Sequence, residues 1–280
     1  MEVESEGSGS AKWPESCKDV LRRMYDEVSR FTVPISISVS DNVGKHLGTG
    51  SFVDLGGVKA LLSCEHVLGK RQKNDLAHRV LGLDRYVAVT GPAAYIVEPI
   101  DLGVAGVSPV LWDEYGRKSV AIPESRLAVV HDAVPGELFF VFGFAEKNSR
   151  FICDTLEVDG TAYLCQEVRL PTHKRLNPQI HFALQYNRDL ATKSFGEHKL
   201  PDPPGMSGSI VWNTRFVECS LEKKEWMPVY ADVAGVVWFW SREDAIGATR
   251  VEYVRSFLLT VAASWGQGST ENSDPKPPTT

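Results

Sequence analysis

The sequence predicts an all-β fold in two halves, and three observations carry that prediction. Short apolar runs alternate with polar residues, as where Val33, Ile35, Ile37 and Val39 are set between Pro34, Ser36, Ser38 and Ser40. Period two turns one face of a strand toward a core. Such runs recur along the chain between clusters of Gly, Pro, Asn and Asp, without the regular strand–helix alternation of a parallel α/β sheet. The texture breaks near residues 115–135, where proline, glycine and charge accumulate, and then resumes. With 280 residues, 43% of them hydrophobic and 24% charged, the chain can bury the cores of two ordinary domains without metals or disulfides.

Residues 1–12 are polar and rich in Gly and Ser, and are expected to form a disordered arm. Val20, Leu21, Met24, Tyr25 and Val28 follow at helical spacing, predicting an amphipathic helix of about four turns. Candidate strands come next at 31–40, 50–53, 58–62, 85–89, 95–97 and 102–107. The second half offers 137–144, 161–169, 180–186, 208–212 and 233–240. Val251, Val254, Phe257, Leu258 and Val261 return to helical spacing and predict a C-terminal helix docked on the second half, with 264–280 read as a disordered tail. The expected organisation is therefore an arm and helix over 1–30, a first β unit over 31–125, a second over 126–263, and the tail.

Charge and cysteine content exclude several function classes. The net charge is −6 with no basic stripe, so nucleic acid is not an expected partner. The short cluster Lys70, Arg71 and Lys73 reads as a solvated loop. No apolar run reaches the roughly 18–20 residues needed to cross a bilayer, so no membrane association is expected. Met1-Glu2-Val3-Glu4-Ser5-Glu6 is acidic where a secretory signal would be basic. The five cysteines, Cys17, Cys64, Cys153, Cys165 and Cys219, are odd in number and include no CxxC pair. A cytoplasmic protein with free thiols is the expectation. Nothing in the sequence requires a cofactor or metal.

Three segments carry chemistry. In Gly205-Met206-Ser207-Gly208-Ser209, a serine sits between glycines that let the backbone bend sharply. The amides of Gly205 and Ser207 can then point at one spot and hold an oxyanion. Alone the pattern is weak, since Gly-x-Ser-Gly arises by chance in roughly one chain in ten of this length. In Ala60-Leu61-Leu62-Ser63-Cys64-Glu65-His66, an apolar strand delivers a histidine to its C-terminal end; none of His46, His78, His131, His173, His181 and His198 has a comparable context. In Ile100-Asp101-Leu102-Gly103-Val104, an aspartate opens an apolar run, where burial is costly without a partner such as a histidine N–H.

Their order along the chain, His66, Asp101, Ser207, is that of chymotrypsin, and differs from the orders found in subtilisin-like and α/β-hydrolase enzymes. Over residues 31–260 the sequence resembles the trypsin-like serine protease family, its compact intracellular and bacterial members in particular. Gly48-Thr49-Gly50-Ser51-Phe52-Val53 is similar to the family's Gly-x-Gly-Phe strand, Leu62-Ser63-Cys64-Glu65-His66-Val67 to its Leu-Thr-Ala-Ala-His segment, and Asp101-Leu102-Gly103-Val104 to its Asp-Ile/Leu-Ala stretch. Gly205-Met206-Ser207-Gly208-Ser209 is similar to Gly-Asp-Ser-Gly-Gly, and Gly235-Val236-Val237-Trp238 to the strand lining the substrate cleft.

The resemblance implies two antiparallel six-stranded β-barrels in the chymotrypsin-like arrangement. It also implies a serine endopeptidase with His66, Asp101 and Ser207 as catalytic residues, an oxyanion hole from the backbone of Gly205 and Ser207, and a polypeptide substrate. Trp238, Phe239 and Trp240 would line the cleft, or Trp238 and Trp240 would share one face packed into the barrel with Phe239 opposite. Asp202 stands in the stretch that helps form the specificity pocket. Several residues depart from the family pattern. Met206 replaces an acidic or amide residue and cannot pair with a newly cut N-terminal amine, so that mode of activation is not expected. Ser209 replaces glycine, and Cys64 and Glu65 replace small residues beside His66, where Glu65 could compete for the imidazole or face solvent. These departures keep open a binding or regulatory module with a latent site, gated by a partner protein, and a peptidase serving one dedicated substrate. A zinc site on Cys64 and His66 lacks a further ligand cluster at a recognisable spacing.

Overall fold

The computed structural model describes residues 15–40, 43–80, 83, 86–116, 119–152, 155–187, 200–241 and 244–267. The N-terminal arm, Arg85, Cys153 and residues 268–280 lie outside them. Helix α1, Glu15–Val28, presents Val20, Leu21, Met24 and Val28 as its buried stripe, and Tyr25 meets Phe142 edge-on at 5.3 Å.

The first sheet has seven strands: β1 Thr32–Ser40, β2 Val43–Leu55, β3 Val58–Ser63, β4 Leu76–His78, β5 Val87–Ala88, β6 Ala93–Ile96 and β7 Leu102–Gly106. They lie in the order β5-β4-β1-β2-β3-β7-β6. A one-turn helix α2, Glu65–Leu68, follows β3, and α3, Pro109–Tyr115, follows β7. The second sheet also has seven: β8 Phe139–Ile152, β9 Thr155–Cys165, β10 Glu167–Val168, β11 His181–Gln185, β12 Ile210–Asn213, β13 Asp232–Ser241 and β14 Ala245–Arg250, in the order β10-β11-β14-β13-β12-β8-β9. Helix α4, Phe216–Leu221, lies between β12 and β13, and α5, Val251–Gln267, closes the fold. Every ladder within both sheets is antiparallel.

The all-β, two-sheet architecture with a helix at each end is the expected one, and the expected six strands per half become seven. Sequence patterning passes over β4, only three residues long. It also passes over β14, whose Ala245-Ile246-Gly247-Ala248-Thr249 has little apolar bulk to alternate although all five residues are buried. Residues 161–169, read as one strand, fall into the end of β9 and the separate β10. Helix α5 buries Val251, Val254, Phe257, Leu258 and Val261 and continues through 264–267, which composition had assigned to the tail.

One apolar core runs through both sheets, from Ile35, Phe52 and Leu61 to Phe140, Trp212 and Val236. Between the halves the chain is stitched to each: Ile122 bridges to Val53 of β2, and Leu127 to Val233 of β13. Arg126 adds hydrogen bonds to the carbonyls of Ala231 and Pro228, and an ion pair with Glu27 of α1. No helix among the described residues is long and apolar enough to cross a membrane.

Candidate active site

Sheet register brings His66 and Asp101 together. In the β3–β7 ladder Ser63 lies opposite Gly103. Because the strands are antiparallel, the residues just after β3 and just before β7 emerge side by side at one end of the sheet. Cys64 N-caps α2 with extended backbone, and His66 sits inside that turn, just beyond the strand end. Gly103 makes the close packing possible, since a Cβ there would lie 3.1 Å from Cys64 O and 3.3 Å from Leu68 Cβ.

The Asp101 carboxylate is 1% exposed and grips His66 twice. Oδ1 accepts the His66 backbone N–H at 3.0 Å, and Oδ2 accepts from ring Nδ1 at 2.5 Å. A carboxylate only accepts, so the proton lies on Nδ1 and Nε2 keeps its lone pair. The His66 side chain is 43% exposed, which leaves that nitrogen accessible. Glu65 does not compete for the ring; its Oε1 lies 2.7 Å from where a Cβ on Gly69 would stand.

Ser207 lies on the turn before β12. Gly205 and Gly208 have φ of +94° and +92°, a region that strains any residue with a Cβ. Space is short as well. A Cβ on Gly208 would lie 2.0 Å from Thr49 O and 2.2 Å from Ser63 Oγ; one on Gly205 would lie 2.6 Å from Glu146 N. Within the turn, Met206 N–H donates to Pro203 O, Ser209 N–H to Met206 O, and Gly208 N–H to Val237 O. Among the described residues the N–H groups of Gly205 and Ser207 have no protein partner. No hydrogen bond joins the Ser207 hydroxyl to His66 among the described contacts.

Neighbouring residues tie the two parts of the site together. Thr49 of β2 donates its N–H to Ser207 O at 2.8 Å. Its hydroxyl donates to Gly205 O at 3.0 Å and accepts the N–H of Phe144 at 2.9 Å, and its own carbonyl accepts Ser63 Oγ at 2.6 Å. Val237 O accepts both Gly208 N–H and the Cys64 thiol, the latter at 3.2 Å. Behind the turn, His46 Nε2 bonds Phe144 O at 2.8 Å. Burial holds the His46 ring below the ordinary histidine range, so it is neutral and Nε2–H donates. In the sequence Thr49 stands out only as part of a strand motif, and His46 has no distinguishing context. Neither carries a local signal, because their partners lie far along the chain.

Met206 is 1% exposed, packed in an apolar cluster with Val141, Tyr186 and Val237. The turn is thus anchored by an apolar side chain at the position where the resemblance has a polar one. Ser209 is fully buried; its Oγ rests on Gly143, where a Cβ would lie only 1.9 Å away. Asp202 is half-buried near the turn.

The β13 aromatics do not alternate. The β13–β14 register slips between Val237 and Phe239, so Trp238 occupies a bulge. Trp238 is buried and faces His181 at 5.0 Å, with the Arg175 guanidinium 4.9 Å from its ring centre. Phe239 is half-buried beside His173 at 4.8 Å. Trp240 is 38% exposed. The expectation that Trp238 and Trp240 share one packed face is corrected by that bulge.

Cys64, His66 and Asp101 place ligand atoms within 4.8 Å of one another. A thiolate is what a metal takes. Burial, and then the nearby Asp101 charge, push the Cys64 thiol well up, and it donates to Val237 O. The arrangement suits a hydrogen-bonded thiol, and both Asp101 oxygens are already engaged by His66.

No family model and no curated protein matches the chain. Several solved structures are similar in shape. The active form of the Rv3671c protease from M. tuberculosis is 12% identical, with 99% of this chain and 96% of that chain covered at a TM-score of 0.46. The MamO protease domain from Magnetospirillum magneticum is 12% identical, covering 83% of this chain and 98% of its own at 0.47. The serine protease domain of the Sesbania mosaic virus polyprotein is 13% identical, covering 82% and 98% at 0.44.

Proposed function

We propose that this chain is a serine endopeptidase in which Ser207 is the nucleophile, His66 the general base and acid, and Asp101 the residue that orients His66. The observation that carries the reading is the doubly bonded His66–Asp101 pair, which leaves His66 Nε2 as an accessible acceptor. The two unengaged amides of the Ser207 turn support it, because they suit a developing oxyanion.

In this mechanism Ser207 Oγ attacks the peptide carbonyl carbon and its proton passes to Nε2. The Gly205 and Ser207 N–H groups hold the negative oxygen. The imidazolium, steadied by Asp101, returns the proton to the leaving amine, and water then releases the acyl group by the same steps. Trp238, Phe239 and Trp240 line the substrate side in this reading, with Trp240 the most accessible. A polypeptide is the substrate. A reducing cytoplasm fits Cys17, Cys64, Cys165 and Cys219, which are all unpaired.

The test is covalent labelling with a fluorophosphonate, on the native protein and on Ser207→Ala and His66→Ala. Stoichiometric labelling lost in both variants is the expected result. A native protein that takes no label, alone or with generic peptides present, overturns the enzyme reading in favour of a binding module.

A further inference from the structure

Asp101 has φ of +55°, the left-handed region, which costs a residue with a Cβ on the order of 1 kcal/mol. Within its own sheet the Asp101 side chain is bonded to His66, but the main chain of the turn has little to hold it. Ile100 and Asp101 both donate their N–H to Val97 O at 3.3 Å, a long shared contact. The second sheet supplies the rest. His181 Nε2 bonds Pro99 O at 2.7 Å, and Thr249 Oγ1 donates to Ile100 O at 2.8 Å.

These two donors form a single device. His181 and Thr249 are direct cross-strand partners in the β11–β14 ladder, so one rung grips two consecutive carbonyls. Both are buried, at 1% and 0% exposure. The His181 tautomer is set from behind: Nδ1 accepts the Asn177 N–H at 2.9 Å, which leaves the proton on Nε2 to donate. Packing against Trp238 fixes the ring plane. At the surface, Arg175 Nε donates to Glu98 Oε2 at 3.0 Å, a weaker tie at the other end of the same loop.

We infer that His181 and Thr249 are positioning residues for the reaction, holding from the second sheet the strained turn that aims Asp101 at His66. The inference rests on the peptidase reading for its kinetic consequence, and on geometry alone for its structural one. Neither residue touches substrate. They act through the direction of the Asp101 carboxylate, and misplacing a catalytic group by about 1 Å can cost on the order of 100-fold.

The experiment compares the native protein with Thr249→Val, Thr249→Ser and His181→Phe. The readouts are the fluorophosphonate labelling rate of Ser207 and the low-field proton NMR signal of His66 Nδ1–H, with circular dichroism confirming the fold. Thr249→Val should slow labelling about tenfold to a hundredfold and shift or broaden the His66 signal. Thr249→Ser, which keeps the hydroxyl, should restore both, and a folded His181→Phe should behave as Thr249→Val does. Native rate and native signal in a folded Thr249→Val overturn the inference while leaving the peptidase reading intact. A native protein that takes no label refutes the peptidase reading, and the signal then decides the anchoring alone: altered in Thr249→Val it stands, unchanged it falls.

Discussion

At the turn bearing Asp101 the opposing sheet reaches across with side chains alone, whereas at the turn bearing Ser207 it adds closely pressed main chain to one hydroxyl donor. His181 and Thr249 hold the first through two carbonyls at ordinary hydrogen-bond distances. Thr49 holds the second through its N–H and hydroxyl, and its carbonyl comes so near that Gly208 has no room for a Cβ. A turn held by donors tolerates a change of side chain provided the donors remain, while a turn held by contact distance tolerates none. The Asp101 turn should therefore be chemically sensitive and structurally forgiving, and the Ser207 turn the reverse.

The largest effect tests the forgiving turn. Asn accepts the left-handed conformation as readily as Asp, so Asp101→Asn should unfold at nearly the native denaturant concentration. Its carboxamide would favour the wrong histidine tautomer, and labelling of Ser207 should fall about 10⁴-fold. A large loss of stability in that variant would erase the distinction between the turns. Gly208→Ala tests the other side. It combines a positive φ with a contact to backbone, so a stability loss of more than about 3 kcal/mol is expected in urea unfolding. Alanine tolerated there would mean that the Ser207 turn can open.

Acid comes next. Burial holds His78 at a pKa of about 4, and lowers His46 and His181 in the same direction. A histidine held low in the folded state contributes nothing unfavourable above the unfolded value of about 6.5. Below it, the unfolded chain takes up protons that the native state refuses. Stability should be level from pH 6.5 to about pH 8, below the range where the buried thiols ionise once the chain unfolds, and decline as pH falls toward 4, where His78 alone accounts for about 3 kcal/mol. Urea titrations at several pH values check this, and the acid slope left in His78→Phe reports the two histidines behind the turns. A profile level down to pH 4 would show that none of the three rings is held neutral. The smallest effect is at Thr49. Thr49→Val removes one hydroxyl and orphans Phe144 N–H and Gly205 O, costing about 2 kcal/mol. If labelling slows by much more than stability falls, Thr49 shapes the oxyanion turn as well as supporting it.

How much could be read in advance depended on the span of each cause. The β1 alternation and the stripe of α5 are local, and the expected strands and helix lie there. His66, Asp101 and Ser207 each stood out within a few residues of sequence. Helix α4 had no such signal, because its start is held by Glu137: the buried carboxylate accepts the N–H groups of Val217 and Glu218 from about 80 residues away. The same holds for His46, Thr49, His181 and Thr249, each of which has a hydrogen-bond partner in the other half of the chain. The placement of the β13 aromatics stays open in the sequence because a bulge, invisible to a count of period two, shifts the face on which the residues beyond Val237 land.

The bond from Thr249 to Ile100 spans 149 residues of sequence. During synthesis the first sheet can leave the ribosome complete while both donors that secure its acidic turn have yet to be translated. A nascent chain stopped short of β14 would carry His66, Asp101 and His181 but not Thr249, and so only half of the grip on that turn. The last rung of the second sheet is therefore also the last part of that grip to be made.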